Sequence, residues 1–201
     1  MRQIEAINEA PDLLHIAEGV AAMSFRGEKT MIRPIVPEDL RYILRWNNDS
    51  EIQEFLGGES ASTLEKCREW YSQGLSDRHA KHYLICSTTG VPLGDLELIN
   101  ISWRSGDAEL RIRIGEKRCW NLGYGTDSLQ ALLRHAFNDM GLNRIYLRVY
   151  CQNTRAIHVY QKCGFKREGI LKNNKAREGF RDIVLMRIFR EEYMRYVRRS
   201  A

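Results

Sequence analysis

Hydrophobic and polar positions alternate in several stretches of the chain. This period of two residues predicts β-strands, whose successive side chains point to opposite faces. In the stretch 93–101, Leu96 and Leu98 are expected to face one side of a sheet. The opposite side is expected to carry Asp95, Glu97, Ile99 and Ile101. The stretch 108–114 alternates in the same way, so its charged side chains are expected to share one face.

Two more strands are predicted from compact apolar runs, at Met31–Ile35 and His82–Ser87. The first contains Pro34, which has no N–H to donate, so this strand is expected at an edge of the sheet. No connection between residues 82 and 114 is long enough for a helix. The strands of this region are therefore predicted to be antiparallel.

From Tyr124 to Met140 the hydrophobic period becomes that of a helix. The apolar stripe consists of Leu129, Leu132, Leu133, Ala136, Phe137 and Met140. Gly141 is the expected C-terminal stop, and Arg144–Tyr150 is predicted to be the next strand. A strand–helix–strand unit of this kind predicts a right-handed crossover between parallel strands.

The remaining chain adds shorter elements. They are a helix starting at Pro37, a helix over 64–74 capped by Ser62 or Thr63, a helix from Asn153 to Gly164, strands near 165–169 and 182–188, a basic loop at 173–179, and a helical C-terminal tail. We therefore predict a mixed α/β fold with a twisted, mostly antiparallel sheet, a central parallel pair of strands, and helices on both faces. The expected organisation is an N-terminal helical extension (1–30), a main domain (31–192) and a basic tail (193–201).

Composition narrows the class of protein. The chain has 201 residues, of which 43% are hydrophobic and 28% are charged, which is typical of a globular domain. No apolar run approaches the roughly 20 residues that span a bilayer, and the N-terminus lacks the apolar core of a signal peptide. The five cysteines form no CxxC pair, which favours reduced thiols in the cytoplasm. They are Cys67, Cys86, Cys119, Cys151 and Cys163.

The formal net charge is +5, and much of the excess lies in the last forty or so residues. One interpretation is an ordinary solvated surface. The other is an electropositive mouth that attracts a polyanion, either coenzyme A or nucleic acid. No nucleic-acid-binding motif accompanies the charge, so nucleic-acid binding is the minor alternative.

The turn Trp120–Thr126 joins a predicted strand to the long helix and contains Gly123 and Gly125. Helix N-termini present unpaired N–H groups and partial positive charge, so they bind phosphate. Glycine lets the backbone approach such a ligand closely, although an ordinary turn would use the same residues. A dinucleotide fingerprint is excluded because Ser128 stands where its third glycine is needed.

Two segments carry a resemblance to a known family. Asn153–Phe165 resembles a signature of the GNAT superfamily, whose members acetylate amines with acetyl-CoA, and Trp120–Thr126 is similar to its pyrophosphate loop. Trp120 stands where Gln or Arg is common in the superfamily. Trp is frequent at this position in the branch that resembles ribosomal-protein N-terminal-amine acetyltransferases and spermidine acetyltransferases. Ile32–Pro34 and Asp182–Met186 also resemble this branch, and the resemblance covers residues 31 to about 192.

The resemblance implies acetyl-CoA as cosubstrate and no metal. The backbone of Ile112–Ile114 would pair with the pantetheine arm, and the amides of Asn121–Thr126 would hold the pyrophosphate. Asn153 would cap its helix and also reach the pantetheine, although it can be a purely structural cap. Arg118 would add a charge contact or else be an exposed surface arginine. The implied coenzyme-binding set is Ile112, Arg113, Ile114, Arg118, Asn121, Leu122, Gly123, Tyr124, Gly125, Thr126, Asn153, Ala156 and Tyr160.

Tyr160 is predicted to protonate the leaving thiolate, although it can also be an aromatic that packs through its ring. Glu97 and Glu109, then Asp95, are the candidate bases for the acceptor amine. Each can instead be a strand-surface acid paired with a neighbouring arginine. The histidines are expected to be structural or exposed, because their partners follow no pattern. They are His79, His82, His135 and His158.

The acceptor site is expected in the two N-terminal helices and the loop between them. A cationic amine is predicted to be held there by Trp46, Glu51, Glu54 and Phe55. Alternatively, the two aromatic residues belong to the core and the two acids are exposed to solvent. The predicted function is direct acetyl transfer to a protein N-terminal amine, then a polyamine, then an aminoglycoside or amino-sugar. A non-catalytic acyl-CoA sensor is the alternative of a different class. The expected partners are the amine acceptor and a second copy in a homodimer, with no membrane.

Overall fold

The predicted strands form one eight-stranded sheet in a computed structural model, which describes residues 24–55, 61–172 and 182–200. The strands are β1 (Phe25–Arg26), β2 (Thr30–Pro34), β3 (Lys81–Ser87), β4 (Pro92–Ser102), β5 (Asp107–Ile114), β6 (Arg144–Tyr150), β7 (Lys166–Leu171) and β8 (Ile183–Phe189). Their spatial order is β1-β2-β3-β4-β5-β6-β8-β7. The helical extension predicted before residue 24 and the loop predicted at 173–179 lie outside the described residues.

Most of the described helices follow the predicted apolar stripes and caps, but the short helix Ser50–Gln53 was not predicted. The helices are α1 (Leu40–Asn47), α2 (Ser50–Gln53), α3 (Leu64–Ser76), α4 (Tyr124–Arg134), α5 (Thr154–Lys162) and α6 (Arg190–Ser200). The Thr63 side chain accepts the Lys66 N–H, so Thr63 rather than Ser62 caps α3. After α4 the backbone continues as a π-helical turn, His135–Asp139, and Gly141 follows with φ of 71°.

The sheet is antiparallel except for one central pair, as predicted. β5 and β6 run parallel, and their pairing covers only Asp107–Glu109 against Arg144–Tyr146. β5 continues to Ile114, paired along its other edge with β4. The two central strands therefore diverge after Glu109.

Hydrophobic clusters cover the two faces of the sheet, which confirms helices on both sides. On one face Leu129 and Leu132 of α4, with Phe137 of the π-helical turn that follows it, pack against the strands. On the other face α1 and α3 pack around Trp46 and Cys67. No helix in the described ranges is long and apolar enough to cross a membrane. All five cysteines are free thiols, as expected.

The alternation predicted for β4 fails at one residue. Ile101 is 1% exposed and belongs to the same cluster as Leu96 and Leu98, not to the face of Asp95. Asn100 has a φ of 52° and sits where the register between β4 and β5 shifts. This bulge adds one residue to the strand, which returns Ile101 to the apolar face.

The expected edge position of Met31–Ile35 is also wrong. β2 pairs with β1 over Met31 and Ile32, and Pro34 lies beyond the end of that two-residue strand. Within the described part of the chain, the missing N–H of Pro34 therefore costs no ladder hydrogen bond on the β1 side. The Gly27 N–H donates to Thr30 O in the turn between β1 and β2. The boundary predicted between the N-terminal extension and the main domain, after residue 30, therefore falls at the end of this hairpin turn.

Candidate active site

The divergence of β5 and β6 opens a cleft of about 1030 Å³ in the middle of the sheet. Its walls come from α1, β4, β5, the turn before α4, β6 and α5. In the part of the chain that the structure describes, no strand pairs with Ile112–Ile114 on the side that faces β6. An extended ligand with alternating amide donors and acceptors can add to this edge as a strand would.

The turn that precedes α4 presents the helix N-terminus to the cleft. Gly123 is the N-cap with φ of 86°, and Asn121 also has a positive φ, of 63°. The N–H of Asp127 donates to Gly123 O at 3.0 Å and begins the helical ladder. The N–H groups of residues 124–126 precede it, so the site suits a phosphate.

Gly123 and Gly125 serve different purposes. Gly123 needs a left-handed backbone conformation that other residues rarely adopt. Gly125 does not, and a Cβ there would meet only Ile114 Cγ1, at 3.6 Å. The absence of a side chain at Gly125 therefore leaves room in the cleft for a ligand against the backbone.

Trp120 ties the turn to both of the neighbouring walls. Its Nε1 donates to Ile114 O at 2.7 Å. The guanidinium carbon of Arg155, on α5, lies 3.8 Å from the centre of its ring, and burial lowers the pKa of Arg155. A bulky indole at this position therefore holds the turn against the end of β5 and the start of α5.

The β1–β2 hairpin is fastened to the first turn of α4. Asp127 accepts hydrogen bonds from Glu28 N–H at 2.8 Å, Lys29 N–H at 3.0 Å and Thr30 Oγ1 at 2.6 Å. Lys29 Nζ donates to Leu122 O at 3.2 Å, which places its positive charge at the phosphate-binding turn. Lys29 has no sequence signal because more than ninety residues separate it from that turn.

Tyr160 lines the cleft from α5. Tyr160 is 7% exposed, and its ring centre lies 5.8 Å from that of Phe165. Burial raises the pKa of the Tyr160 phenol above its ordinary value, with the nearby Cys163 thiol adding to the effect. The phenol is therefore fully protonated at neutral pH. The helix that carries it is capped by Asn153, whose Oδ1 accepts the Ala156 N–H at 3.1 Å.

Three carboxyl groups share the face of the sheet that lines the cleft. Two of them, Glu109 and Asp95, are held by arginines. Glu109 is 3% exposed and accepts hydrogen bonds from Asn100 Nδ2 at 3.0 Å and Arg148 at 3.1 Å. Asp95 accepts the Nε–H of Arg113 at 2.7 Å. Burial raises the pKa of Asp95, and the charge of Glu97 adds to this, while Arg113 opposes it.

The third carboxyl group, Glu97, has a histidine partner. Its Oε1 lies 3.3 Å from His82 Nδ1, on the adjacent strand β3, although the angle does not make a hydrogen bond. The Trp70 ring packs edge-on against the imidazole, with ring centres 4.8 Å apart. The expectation that His82 is merely structural or exposed therefore overlooked this pairing, because β3 and β4 bring the two residues together only in the folded sheet.

The residues predicted to hold the acceptor do not gather in the cleft. The prediction that Trp46 contacts the acceptor amine is wrong. Trp46 is 1% exposed, its Nε1 donates to Glu116, and it belongs to the apolar core, so its ring cannot contact an amine. Glu51 is paired with Lys117 at 3.1 Å, and Glu54 is exposed. Of these four, only Phe55 lies among the described residues that line the cleft.

Arg118, which is also predicted to contact the coenzyme, has a largely exposed side chain. Its Nε lies 3.8 Å from Glu116 Oε2. The other predicted coenzyme contacts are at the cleft wall or within the turn that forms it. No cluster of three or more potential metal ligands occurs within 24–55, 61–172 and 182–200.

Comparison with known proteins places this geometry in a family. The acetyltransferase (GNAT) domain model matches residues 29–166. A spermidine N(1)-acetyltransferase from Vibrio cholerae is 27% identical over 164 residues, covering 81% of this chain and 94% of that protein. An aminoglycoside N(6')-acetyltransferase type 1 from Klebsiella pneumoniae is 28% identical over 153 residues, covering 71% and 76%.

Solved structures agree with the sequence relatives. The spermidine N-acetyltransferase of Vibrio cholerae, in complex with CoA and spermine, superposes with a TM-score of 0.77 and 26% identity, covering 83% of this chain and 98% of that one. The family match spans well over half of the chain. The chain therefore belongs to the GNAT acetyltransferase family and is an acetyl-CoA-dependent N-acetyltransferase.

Proposed function

We propose that this enzyme acetylates a primary amine of a polyamine. The observation that carries the proposal is the row of three carboxyl groups, Asp95, Glu97 and Glu109, on one wall of the cleft. Carboxylates attract a polycation and can take a proton from it. The relatives named for spermidine support the same acceptor.

The relatives do not support the acceptor that the sequence ranked first, a protein N-terminal amine. Those described above are named for spermidine or for aminoglycosides. The aminoglycoside relative makes an aminoglycoside the second candidate acceptor. Both acceptors carry several amines, so the carboxyl groups of the cleft suit either of them.

In this proposal the coenzyme lies along the free edge of β5. The backbone of Ile112–Ile114 pairs with the pantetheine arm, and the N–H groups of residues 121–126 hold the pyrophosphate. Two features support it, the edge left open by β6 and the space over Gly125. Lys29 and Arg118 add positive charge at the same end of the cleft.

Glu97 is the proposed base. Glu109 and Asp95 are each held by an arginine, whereas the partner of Glu97 is the imidazole of His82. A carboxylate that forms no arginine pair keeps more of its capacity to accept a proton from the substrate. Tyr160 is the proposed acid, supported by its place at the cleft and its protonated phenol.

The proposed steps balance in protons and electrons. The acceptor enters as R–NH₃⁺ and gives one proton to Glu97, which frees the nitrogen lone pair to attack the thioester carbonyl. The C–S bond breaks with its electron pair on sulfur, and Tyr160 protonates the thiolate. The nitrogen then loses a second proton, which restores Tyr160 through solvent, so the reaction releases one proton overall.

The test is a thermal melt with and without acetyl-CoA, followed by thiol release with a panel of acceptors. The panel contains spermidine, spermine, an aminoglycoside and a peptide with a free N-terminus. Acetyl-CoA is expected to raise the melting temperature, because it binds the folded state. Spermidine or spermine is expected to give the highest kcat/KM. A higher value for the aminoglycoside or the peptide refutes the polyamine proposal.

The cellular setting and assembly stay predictions of the same proposal. We infer a cytoplasmic enzyme, supported by the free state of all five cysteines. The predicted homodimer is checked by light scattering of the purified protein, where a monomeric mass would refute it.

A further inference from the structure

We propose that His82 is a positioning residue that acts through Glu97, receiving the proton that Glu97 takes from the acceptor amine. This inference rests on the proposed function, in which Glu97 is the base. The sequence offers no motif for it, because fifteen residues separate the two side chains along the chain.

The geometry of the pair carries the proposal. His82 Nδ1 and Glu97 Oε1 lie 3.3 Å apart, and their side chains are only 14% and 13% exposed. Within the described structure His82 Nδ1 is buried and has no hydrogen-bond partner. A buried polar atom without a hydrogen-bond partner is uncommon in folded proteins, and a catalytic role is one explanation for it. Glu97 faces the cleft, so the imidazole stands behind the group that meets the acceptor.

The packing around the imidazole holds it in this position. Trp70 contacts the ring edge-on from α3. A Cβ at Gly74 would lie 2.7 Å from His82 Nε2, so a larger residue there would push the ring away. The glycine thus keeps a place for the imidazole under α3 while the other edge of the ring points to Glu97.

The charged groups around the pair complete its setting. Asp95 lies on the same strand as Glu97 and interacts electrostatically with both Glu97 and His82. Arg113 is engaged with Asp95, and Arg111 pairs in register with Glu97. From α3, Trp70 and Gly74 lie against the imidazole, and neither carries a charge. The site therefore holds two neighbouring carboxyl groups, and an imidazole that can carry a proton relieves their repulsion.

In the proposed cycle the proton moves in two steps. Glu97 first takes it from the acceptor ammonium and becomes a neutral carboxylic acid. The imidazole of His82 then takes the proton at Nδ1, which restores the carboxylate beside an imidazolium. The imidazolium passes a proton to solvent and returns to its starting state, so no other reactant is needed.

The first test replaces His82 with Gln and measures kcat/KM for the amine against pH. We expect kcat/KM to fall roughly tenfold. This loss is smaller than the roughly 100- to 10,000-fold contribution of a direct acid or base, because Glu97 remains. The shape of the pH profile should also change, while the KM for acetyl-CoA stays the same. Melting temperatures confirm that each variant is folded. An unchanged pH profile in a folded His82→Gln variant overturns the proposal.

The second test asks whether His82 acts through Glu97. In the Glu97→Gln background the further change His82→Gln is expected to lower kcat/KM less than about twofold, since coupled residues are not additive. Equal losses in both backgrounds would indicate a merely structural role and overturn the inference. If His82→Gln does not fold, His82→Asn takes its place, and Glu97→Gln alone must show the same change in pH profile.

The control is His135→Gln. His135 also pairs with a carboxylate, Asp139, with Nδ1 and Oδ2 2.7 Å apart, but it lies outside the cleft. Its replacement should leave the pH profile unchanged. If the unmodified protein turns over no amine, the proposed function fails together with this inference. If it turns over an amine and His82→Gln behaves like the control, only the role of His82 fails.

Discussion

Replacement of Asp127 by Ala is expected to destabilise the domain by detaching the β1–β2 hairpin from α4. The side chain accepts hydrogen bonds from Glu28 N–H, Lys29 N–H and Thr30 Oγ1 at 2.6–3.0 Å. It also places a negative charge in the first turn of the helix, where the helix dipole favours it. Both contributions are lost in the Ala variant.

The size of the effect follows from these contacts. Two of the three hydrogen bonds are solvent-exposed, so we assign each of the three about 0.5–1 kcal/mol, the lower part of the usual range. The helix dipole adds about 0.5 kcal/mol. The unfolding free energy is thus expected to fall by about 2–3.5 kcal/mol, which lowers the melting temperature by roughly 4–14 °C in a protein of this size.

The assay is chemical denaturation with a thermal melt, and Asp139→Ala is the matched control. Asp139 lies at the other end of the same helical segment, is 65% exposed, and pairs with His135 alone among the described contacts. The control should lower the unfolding free energy by less than about 0.5 kcal/mol. If Asp127→Ala is no less stable than the control, the hairpin is held by other contacts and the reasoning is refuted.

Four further predictions concern the coenzyme site, the acid and the core. Tyr160→Phe should lower kcat roughly 100-fold with an unchanged acetyl-CoA-induced rise in melting temperature; a fall of less than threefold would exclude the phenol as the acid. Gly125→Ala should leave the free protein equally or more stable, since Ala favours helix, but reduce that rise, because the Cβ occupies ligand space. Lys29→Met should raise the KM for acetyl-CoA several-fold at low salt and less at high salt; an unchanged KM removes Lys29 from the site. Burial raises the pKa of Tyr83 to about 12. The folded state therefore keeps this proton above the ordinary pKa near 10, and the unfolding free energy should fall by about 2 kcal/mol from pH 10 to 12, less so in Tyr83→Phe.

Local patterns predicted the parts of the fold that local forces decide. The alternation in β5, the apolar stripe of α4 and the stop at Gly141 appear as expected, because each depends on residues close together in the chain. The bulge at Asn100 could not be predicted in this way. One residue in a left-handed conformation reverses the alternation, and the sequence around it still reads as a regular strand.

Much of the candidate site depends on contacts between distant residues. Tyr160 and the glycine turn carry their own sequence signals, whereas the pairing of His82 with Glu97 exists only once β3 and β4 lie side by side. Trp46 shows the opposite error. Its aromatic ring suggested a cation site, but its almost complete burial in the apolar cluster makes it part of the core. Chemical type alone could not separate these two cases.

The early divergence of β5 and β6 also bears on the solubility of the protein. A strand edge with open N–H and C=O groups is a template for pairing with other chains, and proteins usually protect it with charge, proline or cover. Here the open edge at Ile112–Ile114 lies inside a cleft rather than at the rim of the sheet, so a second sheet cannot reach it side by side. The enzyme can thus keep an edge ready for a ligand without exposing it to aggregation.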